Sequence, residues 1–269
     1  MSNRFPSGAI DTGDLLMSWV EAPWDTRVLG APVLQISTIE VRGANAAAAM
    51  RPFEELRDQI GCSLISCRLP HDRLRESMLL EDAGFRFIEM VYQPEITDLN
   101  EIDISDFDAL GVSLAEADDM NSVSAIAGRA FGNERFHVDP RIPSHIGDVR
   151  YQNWVLQAFQ HPRQRLYVLR DKATVVAFFI VEYLEDGSCY WHLTAVAPEV
   201  QGKGYGMRAW RTMMAEARRA GAQCVRTSIV ARNVRVLNLY ARLGFRFMEP
   251  SMTFHWVRDF FRIDEFLER

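Results

Sequence analysis

The hexapeptide Gly84-Phe85-Arg86-Phe87-Ile88-Glu89 returns 160 positions later as Gly244-Phe245-Arg246-Phe247-Met248-Glu249. The same offset pairs Gly61 with Gly221, Arg75 with Arg235 and Leu79 with Leu239. It also lays the helical pattern 46–60 on 206–220 and the strand pattern 64–69 on 224–229. A match that keeps both residues and the order of elements restricts the chain to architectures built from two related halves. Each Gly-Phe pair is also a local signal, a helix stop followed by the start of a buried strand.

The halves read as follows. Before residue 97, strands are predicted at Val33–Val41, Cys62–Leu69 and Phe85–Gln93, and helices at 46–60, capped by Asn45, and from Asp72 to about Ala83. The acidic, sparsely apolar stretch Thr97–Asp108 reads as a linker. After it come a helix from Asp118 and Asp119 to Phe131, a loop with Pro140, Pro143 and Gly147, and a helix from about Val149 to Gln160. Strands follow at 165–170, 175–184 and 190–197, the last two joined at Glu185-Asp186-Gly187. A helix at 204–220, a strand at 224–231, a helix at 233–243 and a strand from Phe245 complete the pattern. The expected fold class is α/β (α+β), a mixed central sheet flanked by helices. The domains are 1–109, a truncated first half, and 110–269, a complete second half.

Composition narrows the function classes. With 269 residues, 48% hydrophobic, the chain can bury a sizeable core. A net charge of −6 disfavours nucleic acid or an anionic membrane as the main partner. No apolar run approaches a bilayer span, and Met1 to Asp14 carries no secretory pattern. Cys62, Cys67, Cys189 and Cys224 form no C-x-x-C pair, which fits a reduced, cytoplasmic protein. The six His residues show no metal-ligand spacing, so no metal is expected.

The most informative segment is Gln201-Gly202-Lys203-Gly204-Tyr205-Gly206, between a strand and a helix. Glycines on alternate positions let backbone N–H groups turn toward one point, and the helix start adds unpaired donors and a positive dipole end. Lys203 adds a charge. These features describe a pyrophosphate cradle. A dinucleotide fold would need a carboxylate at the end of the next strand, where Val230-Ala231-Arg232-Asn233 stands. A P-loop would need Lys-Ser/Thr after the glycines, which is absent.

That hexapeptide resembles the Q/R-x-x-G-x-G/A motif of the GNAT superfamily of N-acetyltransferases. Asn233, Leu239, Tyr240, Gly244 and Phe245 are similar to its downstream N-x-x-A…Y-x-x-x-G-F block, with Val236 where the family often has Ala or Ser. The resemblance spans about 110–257 and implies a GNAT fold that takes up acetyl-CoA or another acyl-CoA. It implies that backbone at Val196 pairs with the pantetheine arm and that amides of the Gln201, Gly202, Lys203, Gly204, Tyr205 and Gly206 loop hold the pyrophosphate. Asn233 would contact the cofactor, and Tyr240 would reach the thioester sulfur.

Acyl transfer from a thioester needs a deprotonated amine, a held oxyanion and a neutralised leaving thiolate. Tyr240 suits the last role, and strand amides near Val196 the second. For the base, His192 lies four residues before Val196, expected on the same strand face, and Glu182 on the neighbouring strand is a second candidate. Phe136, His137 and Tyr151 are expected to line the acceptor pocket.

Within the superfamily, the layout resembles the TDP-fucosamine acetyltransferase type, on Ala130–Phe136, Tyr151-Gln152-Asn153-Trp154 and Leu80–Phe85. That likeness implies a TDP-linked 4-amino sugar as acceptor. An amino acid, a peptide N-terminus, an antibiotic amine and a non-catalytic acyl-CoA-binding module stay open beside it. Strand ends after Pro250 are expected to be exposed and able to pair in a homodimer, and the amphipathic Phe260–Leu267 to pack on its own domain.

Overall fold

The structure is a computed structural model and describes residues 7–103 and 107–258. The Phe260–Leu267 stretch lies outside the described residues. The first repeat runs β1 (Gly8–Asp11), β2 (Leu15–Glu21), α1 (Pro23–Leu29), β3 (Val33–Val41), α2 (Ala46–Gln59), β4 (Leu64–Pro70), α3 (Leu74–Asp82) and β5 (Arg86–Ile96). The second runs β6 (Gly111–Leu114), α4 (Met120–Ala130), α5 (Arg135–Val138), α6 (Ser144–Gln160), β7 (Gln164–Asp171), β8 (Thr174–Tyr183), β9 (Ser188–Val196), α7 (Tyr205–Arg219), β10 (Cys224–Thr227), β11 (Ile229–Val230), α8 (Val234–Arg242) and β12 (Arg246–Val257).

The 160-residue offset holds in the backbone. α3 and α8 begin and end at matching positions, as do the starts of β5 and β12. Gly84 and Gly244 both take left-handed φ, +87° and +84°, a conformation that costs a side-chain-bearing residue about 1–2 kcal/mol. The turn after each is closed alike: Phe85 N–H donates to the Leu80 carbonyl at 2.9 Å and Phe245 N–H to that of Tyr240 at 3.0 Å.

The two repeats exchange their last strands. β12 pairs antiparallel with β4 of the first repeat, from Ser251 opposite Pro70 to Val257 opposite Leu64. β5 pairs antiparallel with β10 of the second, Ile96 opposite Val225. Residues up to Val91, with 135–146 and those from Glu249, accordingly form one compact unit, and 92–134 with 147–248 form the other. The first unit orders its strands β1-β2-β3-β4-β12 and the second β5-β10-β9-β8-β7-β6. Position 109 follows the repeat in the sequence, whereas compactness follows the exchanged strands.

In the first unit Leu15, Met17, Met50, Phe53, Leu80, Phe85 and Phe254 form one core. α2 contributes through Ala46, Met50 and Phe53, spaced as one helical stripe. In the second unit the sheet is covered on both faces. Trp191, Phe179, Trp210, Met213, Tyr240 and Phe245 gather under α7 and α8. Val123, Ile126, Tyr151, Val155, Phe178 and Leu193 gather under α4 and α6.

Four local expectations change. The Thr97–Asp108 stretch is not a bare linker: Leu99 is fully buried and its amide donates to the Gln223 carbonyl at 2.8 Å. The segment after Pro250 is not an exposed strand end, because Ser251 to Val257 are paired with β4. Asn45 makes no side-chain cap, and α3 starts after Arg73 rather than Asp72.

Candidate active site

β9 and β10 fork. β9 pairs β8 as far as Val196 opposite Ala177, but it pairs β10 only from Ser188 opposite Cys224 to Trp191 opposite Thr227. Thr227 Oγ1 donates to the Trp191 carbonyl at 2.9 Å and closes the crotch of the fork. Beyond it β11 pairs with β5 instead, so among the described residues the β9 edge from His192 to Val196 has no strand beside it. Ala197 N–H donates back to Val176 of the β8 side, which leaves the Val196 groups directed to the open edge. The Gln201 side-chain amide donates to the Val196 carbonyl at 3.0 Å.

A β-bulge sits at the fork. Ile180 faces Leu193 and Val181 faces Trp191, so His192 is the extra residue on β9. An inserted residue reverses which face each later side chain takes. Cys189 and Trp191 belong to the α7/α8 core, whereas Leu193 and Ala195 belong to the α4/α6 core. Val196 consequently packs on the α7/α8 side. His192 turns to the other face, with Tyr190 and with Glu182, which follows Phe178 and Ile180 in alternation on β8. The expectation that His192 and Val196 share a face fails because simple alternation assumes an unbroken register.

The two candidates for the base are one pair. His192 Nε2 lies 3.0 Å from Glu182 Oε2, and Glu182 Oε1 accepts an ion pair from Arg163 at 3.1 Å. Burial lowers the His192 pKa below its ordinary value, with Glu182 pulling the other way. The imidazole is therefore neutral near pH 7 and able to accept a proton.

Tyr240 comes from α8 on the opposite face. It is 1% exposed and packs edge-on against Phe245 at 4.8 Å and Trp210 at 6.1 Å. Burial raises its pKa, and the Trp210, Thr227 and Thr194 side chains that face its phenol counter the rise. Thr227 and Thr194 belong to the two arms of the fork, so the buried phenol points at the gap. Neither threonine stands out in the sequence, because the fork that makes them neighbours is a feature of pairing.

Gly202 and Gly204 take φ of +78° and +86°, and a Cβ on either would meet nothing within 4 Å. They are glycine for their backbone angle rather than for space. The amides of Tyr205, Gly206 and Met207 open α7 and have no acceptor within the helix; the Arg208 amide reaches the Gly204 carbonyl at 3.4 Å. The Gly202 and Gly204 amides have no acceptor among the described residues either. This concave run of donors at a positive dipole end fits a diphosphate. Side chains of the loop do other work. The Tyr205 hydroxyl donates to Asp171 at 2.5 Å, and Lys203 Nζ donates to the Glu199 carbonyl at 2.9 Å. Only the backbone of Tyr205 is left to serve a ligand. Asn233 caps α8 by accepting from the Val236 amide at 3.4 Å, and Arg235 of α8 donates to Gln201 at 2.8 Å, tying helix to loop.

Residues 130–245 match the model of the acetyltransferase (GNAT) family. The match covers less than half of the chain and marks that segment as similar to the GNAT family. Solved structures agree in fold along most of the chain. A GCN5-related N-acetyltransferase from Sphaerobacter thermophilus is 13% identical, with a TM-score of 0.62 over 91% of this chain and 81% of that one. A tandem GNAT protein from the clavulanic acid biosynthesis pathway is 10% identical, with a TM-score of 0.58 over 94% and 80%. A glucosamine N-acetyltransferase region of a fungal multi-domain β-N-acetylglucosaminidase is 14% identical, with a TM-score of 0.63 over 90% of this chain and 31% of that one. At such identity the likeness is one of fold. No curated protein matches in sequence. The family match supports an N-acetyltransferase, and GNAT enzymes use acetyl-CoA.

Phe136, His137 and Tyr151, expected to line an acceptor pocket, divide between the two units. Phe136 belongs to the first unit, 1% exposed in a core with Ala22, Val33, Leu64 and Ile142, so it is a packing residue. His137 belongs to the same unit and is half-buried. Tyr151 lies in the second unit, 4% exposed, stacked on Phe131 at 4.4 Å and on Trp154 at 6.2 Å. The Arg150 guanidinium lies 5.5 Å from the rings of both Tyr151 and Trp154. Among the described residues no group of His, Cys, Asp and Glu gathers as a metal site, and no helix is long and apolar enough to cross a membrane.

Proposed function

We propose that the second repeat transfers an acyl group, acetyl in the simplest case, from coenzyme A to the primary amine of a nucleotide-linked amino sugar. The observation that carries the reading is the forked β9 edge leading into a loop of unpaired amides. The Gly202, Gly204, Tyr205, Gly206 and Met207 amides would hold the diphosphate, and the Val196 backbone would pair with the pantetheine arm. Bound there, acyl-CoA supplies a thioester carbonyl open to an amine.

The chain's own groups divide the remaining work across the sheet. His192, held by Glu182, takes a proton from the acceptor amine on the α4/α6 face. The unpaired β9 amides beside the bulge hold the developing oxyanion. Tyr240, from the α7/α8 face, gives its proton to the departing thiolate as the C–S bond breaks and the C–N bond forms. Direct attack suits this placement, because base and acid approach from opposite faces.

The amino-sugar acceptor rests on the half-buried Trp154, backed by the buried Tyr151 ring, with Arg150 beside it, groups suited to a sugar ring and a phosphate. A glucosamine-acetylating region among the fold neighbours is consistent with it. The three buried free thiols, Cys62, Cys67 and Cys189, fit a reducing compartment, and we place the protein in the cytoplasm. The test is thiol release from acetyl-CoA with TDP-4-amino-4,6-dideoxy sugars, amino acids, peptides and aminoglycosides, with the N-acyl product weighed by mass spectrometry. Turnover confined to peptides or free amino acids would remove the sugar acceptor and keep the transferase.

A further inference from the structure

The first repeat reproduces the fork of the second. β3 pairs β4 in parallel only from Val33 opposite Leu64 to Ile36 opposite Cys67, and then runs on to Val41 with no strand on that edge among the described residues. The connection to α2 is Arg42 to Asn45, against Ala197 to Gly204 in the second repeat.

Both places that a cofactor would use are filled by carboxylates of the chain. At the strand end, the Val41 amide donates to Glu76 Oε1 at 2.9 Å. Val41 closes β3 as Val196 closes β9, and buried Glu76 stands 160 positions before Val236. At the helix start, the Asn45 amide donates to Asp14 Oδ1 at 3.0 Å. The Asp14 main-chain carbonyl accepts from Arg42 and Gly43 at 2.8 and 3.0 Å. The Asp14 carboxylate lies so close that a Cβ on Gly43 would come within 2.0 Å of its oxygen, which explains the glycine. The nearby cation is also engaged: Arg42 pairs with Asp11 at 2.8 Å and with Glu40 at 3.6 Å.

We propose that the first repeat is a cofactor fork sealed from within, Glu76 standing where pantetheine would pair and Asp14 where a diphosphate would sit. The chain therefore takes up one acyl-CoA, in the second repeat. Two internal carboxylates satisfy the amides that a ligand would need and repel its phosphates. This rests on the acyl-CoA reading of the second repeat, and the test separates the two.

Acetyl-CoA titrated calorimetrically into the full chain is expected to fill one site per chain, and Gly204→Val is expected to abolish it. Two sites in the unaltered chain, or one that survives Gly204→Val undiminished, would overturn the sealed fork. No site at all would instead overturn the acyl-CoA reading. An Asp14→Ser, Glu76→Val chain, folded by circular dichroism, is expected to bind inorganic pyrophosphate about tenfold more tightly than the unaltered chain, through the freed helix start. Unchanged pyrophosphate affinity would show that the carboxylates are not what closes the site. The stoichiometry of the unaltered chain stands whatever that variant does.

Discussion

His192 Nε2 and Glu182 Oε2 lie 3.0 Å apart on the α4/α6 face of the sheet, with Arg163 on the far oxygen of Glu182. Burial lowers the His192 pKa and Glu182 raises it, so the acid limb of the rate profile should fall below pH 6.5, the ordinary histidine value. Glu182→Gln removes the raising charge. The acid limb of kcat/KM should then move to lower pH, with acyl-CoA affinity unchanged. A limb that stays in place would show that another group is the base.

Tyr240→Phe deletes one hydroxyl and keeps the ring packed on Phe245 and Trp210. The expected outcome is a kcat loss of about 10²-fold, the size of one general acid, with calorimetric acyl-CoA affinity retained. Stopped-flow thiol release measures the step directly. A residual rate near that of the unaltered chain would make Tyr240 a core residue alone.

Gly204→Ala places a side chain at φ +86°, where space is open but the backbone conformation is disfavoured. The expected cost is about 1–2 kcal/mol, shared between folding and the geometry of the cradle. Thermal melts with and without acetyl-CoA separate the shares: the gap between the two curves should shrink in the variant.

The buried pair His255–Asp139 sets acid stability in the first unit. His255 Nδ1 lies 3.0 Å from Asp139 Oδ2, both side chains fully buried, and Arg141 donates to both oxygens of Asp139. Burial lowers the His255 pKa to about 4 from 6.5, so between those values the unfolded chain binds the extra proton. Stability is then full above pH 6.5 and declines as pH falls toward 4. Urea melts across that range should show the decline, and His255→Gln should flatten it. Asp139→Ala strands Arg141 and should cost roughly 3–5 kcal/mol.

Much of this was legible in residue order. Gly84 and Gly244 announced the repeat because a left-handed turn leaves a one-residue signature. Gly202 and Gly204 announced the left-handed turns of the loop before α7 for the same reason. The β1–β2 hairpin escaped notice, although Leu15, Met17 and Trp19 alternate with half-exposed residues. The bulge at His192 could not be read, since a register slip belongs to the pair β8–β9 and not to either strand. The burial of Phe136 could not be read, because an aromatic beside a loop looks the same in sequence whether it is exposed or fills a core.

The exchange of β5 and β12 bears on how the chain is made. β4 meets its neighbour β12 only across a gap such as that between Leu69 and Met252. During synthesis the first repeat emerges with the β4 edge bare and must wait for nearly the whole chain before that edge is covered. Such distant pairing slows folding and leaves an open edge available to other nascent chains. A ribosome that pauses between residues 110 and 245 would release half a sheet, so this protein's yield in the cell should depend on chaperones that hold an unfinished strand edge.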